Sequence, residues 1–111
     1  MDAKNYKLEI FIPPEFVDSL LDALADVGAG IIGNYERCAS IYPVSGTWRP
    51  AAGANPYQGQ VGKIETASEM KVEMNCPPAR LNAALAAVRQ IHPYEEPLIN
   101  IIPLINEESI E

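Results

Sequence analysis

The first part of the chain alternates apolar and polar residues, which predicts a β-strand from about Tyr6 to Ile12. Every second residue of this stretch is apolar, whereas Lys7 and Glu9 fall on the opposite face, as in a strand with one buried side. The pair Pro13-Pro14 then ends the strand. Since proline suits the first positions of a helix, the pair also predicts where a helix begins.

Beyond these prolines the apolar spacing changes to that of an amphipathic helix from Glu15 to Val27. Apolar residues recur at intervals of three and four, and aspartates occupy the opposite side. The apolar stripe consists of Phe16, Leu20, Leu24 and Val27, and the polar side of Asp18, Asp22 and Asp26. The segment Gly28-Ala29-Gly30 is a typical helix end, because glycine accepts the left-handed backbone often found there.

The same two patterns, alternation for strands and spacing of three and four for helices, predict three more strands and a second helix. The strands are expected at about Ile31 to Ile41, Lys63 to Asn75 and Leu98 to Leu104, and the helix at Ala79 to Ile91. Pro77-Pro78 opens this helix as the first pair opens the earlier one. Pro93 ends it, because the residue before a proline avoids helical backbone angles.

Two stretches follow neither period. Residues 42–62 are rich in glycine and proline, which predicts a long loop between the second and third strands. Loops of this length are uncommon in compact domains and are usually functional. Residues 105–111 form an acidic tail.

The order strand, helix, strand, strand, helix, strand predicts a ferredoxin-like α+β fold. Both helices are expected on one face of a four-stranded antiparallel sheet. The other face carries a mixture of charged and aromatic residues, namely Glu9, Phe11, Glu69, Lys71 and Glu73. Because other subunits often bury such a face of a small sheet, we expect a homo-oligomer.

The composition narrows the classes of function. With 111 residues the chain is expected to form a single domain, and its net charge of −7 argues against nucleic acid and anionic membrane partners. No apolar run approaches the roughly 20 residues of a membrane-spanning helix, and the first residues do not resemble a signal peptide. Cys38 and Cys76 do not form a disulfide framework, so a reducing cytoplasm is expected.

The single histidine lies in the densest cluster of chemistry-bearing residues, His92-Pro93-Tyr94-Glu95-Glu96-Pro97. A neutral imidazole can ligate a metal, and Glu95 can join it if the turn folds both side chains inward. The alternative is structural: His92 caps the second helix, where a partly charged ring suits the helix dipole, and the prolines fix the turn. The spacing alone leaves both interpretations open.

Glu69 and Glu73 share one face of the third predicted strand, roughly 13 Å apart by strand rise. This separation is too large for a paired-carboxylate catalytic site, and Lys71 between them favours an ion-paired or solvated face. Cys38 lies in the second predicted strand, and a lone cysteine is most often a small core residue. Cys76, just before Pro77, is interpreted as structural.

The segment Gly46-Thr47-Trp48-Arg49-Pro50, inside the predicted loop, is the other candidate site. Glycine-rich backbone can offer N–H groups to an anion, and Arg49 can add a two-pronged hydrogen bond. The alternative is a surface loop whose Trp48 packs on the domain or on a neighbour. Neither nucleotide-binding fingerprint is present, and one histidine offers no convincing catalytic triad, so the chain is not expected to be an enzyme by itself.

Several short motifs are spread over the chain: Gly33-Asn34-Tyr35-x-x-Cys38, Gly46-Thr47-Trp48-Arg49-Pro50, Gly53-Ala54-Asn55-Pro56, Gly59-x-x-Gly62 and His92-Pro93-Tyr94-Glu95-x-Pro97. Together they resemble the insert domain of bacterial Nif-three-like (YqfO-type) proteins, here as a stand-alone chain. The resemblance runs from about Tyr6 to Pro103. Trp48 is a mild departure, because the family is expected to have an aromatic residue such as phenylalanine at this position.

The resemblance implies a domain akin to the CutA and PII signalling proteins, which form trimers by packing their sheets. It places the 42–62 loop where the PII proteins carry their ligand- and partner-sensing loop. It also implies that the dinuclear metal site of the full-length relatives lies in a flanking domain that this chain lacks. Their metallo-hydrolase or GTP-cyclohydrolase-like labels therefore do not transfer, and the insert domain itself has no activity to carry over.

Two functions follow as hypotheses. In the first, the chain is a non-enzymatic PII/CutA-like oligomer, expected to be a trimer, that binds a small ligand or partner protein through the 42–62 loop and the clefts between subunits. In the second, it binds a divalent metal ion through His92 and Glu95, with Cys38 or Glu73 brought near by the fold.

The first hypothesis assigns a set of ligand-binding residues that border one cleft: Trp48, Arg49, His92, Tyr94 and Glu95. Arg49 is expected to hold an anionic group of the ligand. His92 and Glu95 are expected to exchange hydrogen bonds with it or to ligate a metal.

Overall fold

The computed structural model describes residues 3–105 and residue 107, and six main elements follow one another along them. They are β1 (Tyr6–Ile12), α1 (Val17–Asp26), β2 (Ser40–Trp48), β3 (Glu65–Cys76), α2 (Leu81–Ile91) and β4 (Ile99–Pro103). Apart from residues 105 and 107, the acidic tail predicted at 105–111 lies outside the described residues. No helix in the described part is long and apolar enough to cross a membrane.

The four strands form one sheet in the order β2-β3-β1-β4, and every neighbouring pair is antiparallel. β1 and β3 occupy the centre, whereas β2 and β4 form the edges. The two helices pack against each other on one face of this sheet. The predicted ferredoxin-like α+β fold is confirmed.

The core lies between the helices and the inner face of the sheet. Leu8, Ile10 and Ile12 of β1 are completely buried, as the alternation predicted, and they pack against Leu20 and Leu24 of α1. Replacing one of these leucines by alanine costs about 2–5 kcal/mol in comparable cores. This packing fixes the ends of the strands from which the functional residues project.

Both helices begin in the same way, after a pair of prolines. Pro14–Phe16 and Pro78–Arg80 each form one turn of 3₁₀ helix ahead of the α-helix. The N–H of Phe16 donates to the carbonyl of Pro13, and that of Arg80 donates to Pro77, both at 3.0 Å. The prolines therefore start the helices where the sequence predicted, since a proline has no N–H to leave unsatisfied.

The second strand was predicted too early in the chain. Residues 31–39 form turns with one isolated bridge between Ile32 and Tyr35, and β2 starts only at Ser40. The apolar pair at 31 and 32 suggested a strand, but Gly33 and Arg37 have φ of 56° and 59°, which breaks a β-ladder. Since β2 continues to Trp48, the predicted 42–62 loop is wrong at its start, and the loop spans residues 49–64.

Pro43 explains part of that error. A proline in a strand lacks the N–H that a β-ladder uses, so its presence in the sequence argues against a strand and favours the prediction of a loop. In the structure Pro43 lies opposite Met70 in β2, an edge strand, where the missing donor is tolerated.

The sheet face away from the helices carries a charged network, which we call the charged sheet face: Lys7, Glu9, Lys71 and Glu73. Lys71 Nζ lies 3.4 Å from both Glu9 and Glu73, and Lys7 Nζ lies 3.4 Å from Glu73. Hydrogen bonding to the Tyr42 hydroxyl, and then to Lys71, lowers the pKa of Glu73. The ion-paired interpretation is therefore confirmed for Glu73, whereas Glu69, on the same face of β3, takes no part in this network.

Candidate functional site

A cavity of about 750 Å³ lies at the end of the sheet where β1 and β2 finish and β3 begins. One side is formed by the end of β2 and the loop that follows it, and the other by the turn between α2 and β4. Its volume is within the range of small-molecule sites in proteins, about 300–1,000 Å³. Two segments far apart in the sequence thus build a single concave surface.

The loop at 49–64 is held in shape by hydrogen bonds back to the sheet. The Trp48 indole N–H donates to the carbonyl of Gln58 at 3.2 Å, and the side-chain amide of Gln58 donates to the Glu65 carboxylate at 3.1 Å. The N–H of Gly62 donates to the carbonyl of Pro50 at 2.8 Å. These contacts close the loop on itself at the first residue of β3.

A second set of contacts joins the loop to the turn. The backbone N–H of Asn55 donates to Glu95 Oε1 at 3.0 Å, across forty residues of sequence. The ring centroids of Trp48 and Tyr94 are 5.8 Å apart, and those of Tyr57 and Tyr94 are 5.9 Å apart. Tyr94 is therefore the centre of an aromatic wall along one side of the cavity.

His92 lies beneath this wall and does not line the cavity. It is 6% exposed, and its ring centroid is 4.9 Å from that of Tyr94. Nε2 lies 2.6 Å from the carbonyl of Phe11, so it must carry the proton and donate, while Nδ1 accepts from the N–H of Tyr94 at 3.3 Å. Burial lowers the pKa of His92 against the opposing effects of the Phe11 carbonyl and Glu69.

His92 therefore has a structural role, but not the predicted one of a partly charged ring at the helix end. His92 ends α2, because its backbone N–H donates to the carbonyl of Val88 at 2.8 Å. Its ring, however, turns away to β1, and the depressed pKa keeps it neutral. It ties the turn to the sheet rather than adding positive charge to the helix end.

Glu69 is the site residue that the sequence analysis missed. Strand parity places it on the same face as Lys71 and Glu73, but Glu69 is only 7% exposed and lines the cavity instead of joining their ion pairs. Burial, followed by hydrogen bonding to Glu69, raises the pKa of Tyr94. A signal existed in β2: a glycine inside a strand marks a place of close approach, and a Cβ at Gly46 would collide with Glu69 Oε1.

Arg49 stands at the mouth of the cavity. Its side chain is exposed and lines the cavity, and its guanidinium makes no ion pair or hydrogen bond with residues 3–105 or 107. Of the five predicted ligand-binding residues, Trp48, Arg49, Tyr94 and Glu95 therefore line one cavity, and His92 supports it from below.

The four predicted metal ligands are not brought together. Cys38 lies in the turns after α1, where its N–H donates to Gly30, and Glu73 belongs to the charged sheet face. Both ring nitrogens of His92 are engaged, and Glu95 accepts from Asn55. Within the part of the chain that the structure describes, no three histidine, cysteine or acidic side chains are arranged to hold a metal ion.

Comparison with known proteins identifies relatives of which this chain matches one segment. No family model matches the chain. It is 40% identical over 102 residues to a GTP cyclohydrolase 1 type 2 homolog of Halalkalibacterium halodurans, covering 92% of this chain and 27% of the relative. The corresponding Bacillus subtilis protein is 36% identical over 98 residues, with 88% and 26% covered. The chain thus spans about a quarter of the length of these curated relatives.

Solved structures agree with this assignment. A Bacillus cereus protein related to NIF3 superposes with a TM-score of 0.82 at 31% identity, over 94% of this chain and 26% of that one. The periplasmic divalent cation tolerance protein CutA of Archaeoglobus fulgidus superposes with a TM-score of 0.68 at 20% identity, covering 92% and 85%. The resemblance drawn from the motifs is confirmed, and the CutA likeness shows a shared fold.

Proposed function

We propose that this chain, a homologue of one segment of the Nif-three-like proteins with a CutA-like fold, is a non-enzymatic module that binds a small molecule in its cavity. The observation that carries the proposal is the convergence of the 49–64 loop and the turn after α2 on one cavity of about 750 Å³. Trp48, Arg49, Tyr94 and Glu95 all reach it.

The guanidinium of Arg49, which has no partner among the described residues, supports a role for Arg49 in holding the ligand. An arginine without a protein partner can form a two-pronged, charge-assisted hydrogen bond with a carboxylate or phosphate. Its exposed position at the mouth leaves room for such a group to approach. In this proposal, Arg49 holds the anionic end of the ligand.

The geometry favours ligand binding over the metal alternative. A metal at His92 would need a free ring nitrogen, and both are engaged. The activity named for the relatives is not transferred, because three quarters of their length has no counterpart in the match. Unpaired Cys38 and Cys76 support the further proposal of a reducing, cytoplasmic setting.

Self-association is part of the same proposal. Phe11 and Tyr42 flank Lys71 on the charged sheet face, with Lys71 Nζ 5.9 Å and 5.1 Å from their ring centroids. A second copy covering this face would exclude water from its ion pairs. We expect a trimer in sedimentation at micromolar concentration. A purely monomeric species would overturn the proposed assembly, and a dimer would overturn its number of subunits.

Ligand binding can be followed through Trp48, which is the only tryptophan of the chain and lines the cavity. A panel of amino acids, dicarboxylates and phosphate esters is titrated while Trp48 emission is recorded. At least one class is expected to give a saturable change. Arg49→Ala should weaken that binding roughly ten- to a hundredfold, since a charge-assisted bond contributes about 1.5–3 kcal/mol.

The matched control is Arg89→Ala, which removes the same charge from the exposed side of α2. It should bind as the unaltered chain does. If no compound of the panel binds, or if the two variants lose affinity equally, the proposed function is wrong.

A further inference from the structure

The charges around the cavity are unequal. Three carboxylates line it, those of Glu69, Glu95 and Glu96, against the single guanidinium of Arg49. Glu15 lies near enough to add to the electrostatic shift that raises the pKa of Tyr94. Carboxylates therefore outnumber cationic side chains along the cavity, and of these charged residues only Glu69 is buried.

The aromatic wall offers ring surface to a cation. The Trp48 and Tyr94 rings are inclined by 48°, the Tyr57 and Tyr94 rings by 45°, and all three residues line the cavity. The face of each ring carries the negative part of its quadrupole. Trp and Tyr faces attract ammonium groups, most strongly where water is excluded.

Glu69 adds a buried carboxylate beside this wall. Its carboxylate takes part in no ion pair within residues 3–105 and 107, and its close partners are the hydroxyl of Tyr94 and the neutral ring of His92. A buried carboxylate without a cation is costly to keep ionised. A cation supplied by a ligand would compensate that charge.

Arg49 does not supply that cation. Glu69 packs against Gly46, and Arg49 follows three residues later, roughly 10 Å further along the chain by strand rise. Among residues 3–105 and 107, no ion pair joins the guanidinium of Arg49 to the carboxylate of Glu69. The carboxylate of Glu69 is therefore available to a bound molecule.

We propose that the cavity binds an organic ammonium group against the rings of Trp48, Tyr94 and Tyr57, paired with the carboxylate of Glu69. The inference rests on the proposed function, because it names the chemistry of a ligand in the same cavity. A ligand with an ammonium group at one end and a carboxylate or phosphate at the other satisfies both Glu69 and Arg49.

Two compounds of the same shape test the charge alone. Choline carries a trimethylammonium group, and 3,3-dimethylbutan-1-ol replaces its nitrogen by carbon and is neutral. We expect choline to change Trp48 emission in a saturable manner, and the neutral alcohol to bind roughly tenfold more weakly, as expected of a cation beside aromatic faces and a carboxylate. Equal binding of the two compounds would overturn the ammonium inference and leave the proposed function standing.

The variant Glu69→Gln keeps the shape of the side chain and removes its charge. It should lower the affinity for choline at least fivefold without changing that for the neutral alcohol. Glu36→Gln, at an exposed position in the turns after α1, removes the same charge from a residue that does not line the cavity and should change neither affinity. An unchanged choline affinity in folded Glu69→Gln would overturn the pairing with Glu69.

The remaining outcomes separate the two proposals. If choline fails to bind while an anionic compound binds in an Arg49-dependent manner, the ammonium inference is wrong and the proposed function stands. If compounds of neither class bind, both are wrong. Should Glu69→Gln fail to fold, as seen by circular dichroism, the comparison of choline with its neutral analogue on the unaltered chain still decides.

Discussion

Gly46 and Glu69 are packed so closely across β2 and β3 that a side chain at position 46 would collide with the carboxylate oxygen of Glu69. Gly46 does not have the positive φ that would by itself call for glycine. The reason for glycine at this position is therefore the space that Glu69 occupies as it lines the cavity.

Gly46→Ala is expected to destabilise the chain because it forces Glu69 out of its place. Overpacking of this kind costs about 1–3 kcal/mol in the free energy of unfolding, measured by urea denaturation. The double variant Gly46→Ala/Glu69→Ala should lose less than the sum of the single losses, since the collision is then absent. Ser45→Ala, at the neighbouring exposed position, is the control. If the loss in the double variant equals the sum of the two single losses, the contact with Glu69 is not the reason that position 46 requires glycine.

Stability should fall as the pH drops below about 6.5, because of His92. Its pKa in the folded chain is lowered by burial, so the unfolded chain takes up the proton first. The stabilisation is fully present above the ordinary value of 6.5 and is lost as the pH falls towards the lower folded value.

His92 is the only histidine, so this part of the pH profile can be assigned to one side chain. The free energy of unfolding is measured between pH 8 and pH 5 for the unaltered chain and for His92→Gln, which does not titrate. The variant should be less stable at pH 8 and should show a smaller decrease towards pH 5. Parallel profiles would contradict the assignment.

Tyr94 should ionise only well above the usual range of a tyrosine. Its pKa is raised by burial and by the hydrogen bond to Glu69, so the folded chain keeps the proton above the ordinary value of 10. The chain has five tyrosines, and phenolate absorbance should show fewer than five titrating before the chain unfolds in alkali. In Tyr94→Phe this late step should be missing, whereas the control Tyr35→Phe, at a position 75% exposed, should keep it.

The two cysteines should react at very different rates with a thiol reagent. Cys76 is completely buried, and burial raises its pKa, whereas Cys38 is only half-buried in the turns after α1. Because the thiolate is the reactive form, one thiol per chain should react quickly and the second only in denaturant. Cys38→Ser should leave no fast thiol. Two fast thiols in the folded chain would contradict the burial of Cys76.

Local patterns in the sequence predict most of the fold but not the closure of the site. The proline pairs and apolar stripes locate both helices, since those signals act within a few residues. Ile31 and Ile32 misled the strand prediction because left-handed backbone at Gly33 and Arg37 cannot be deduced from apolar spacing.

The cavity depends on contacts between residues far apart in the sequence, and hydrophobic periodicity does not predict such contacts. The bond between Asn55 and Glu95 joins residues forty positions apart, and Glu69 shares its strand face with Lys71 and Glu73 although its carboxylate has different neighbours. Motif similarity grouped the loop and the turn correctly as candidates. It could not identify Glu69, which lies in neither.

Both edge strands of the sheet contain a proline, Pro43 in β2 and Pro103 in β4, whereas β1 and β3 contain none. An exposed strand edge is a template on which another chain can add, and a proline interrupts its row of donors. Growth of the sheet into a cross-β polymer is therefore opposed at each side. Pro43, which obscured β2 in the sequence, thus acts together with Pro103 against aggregation.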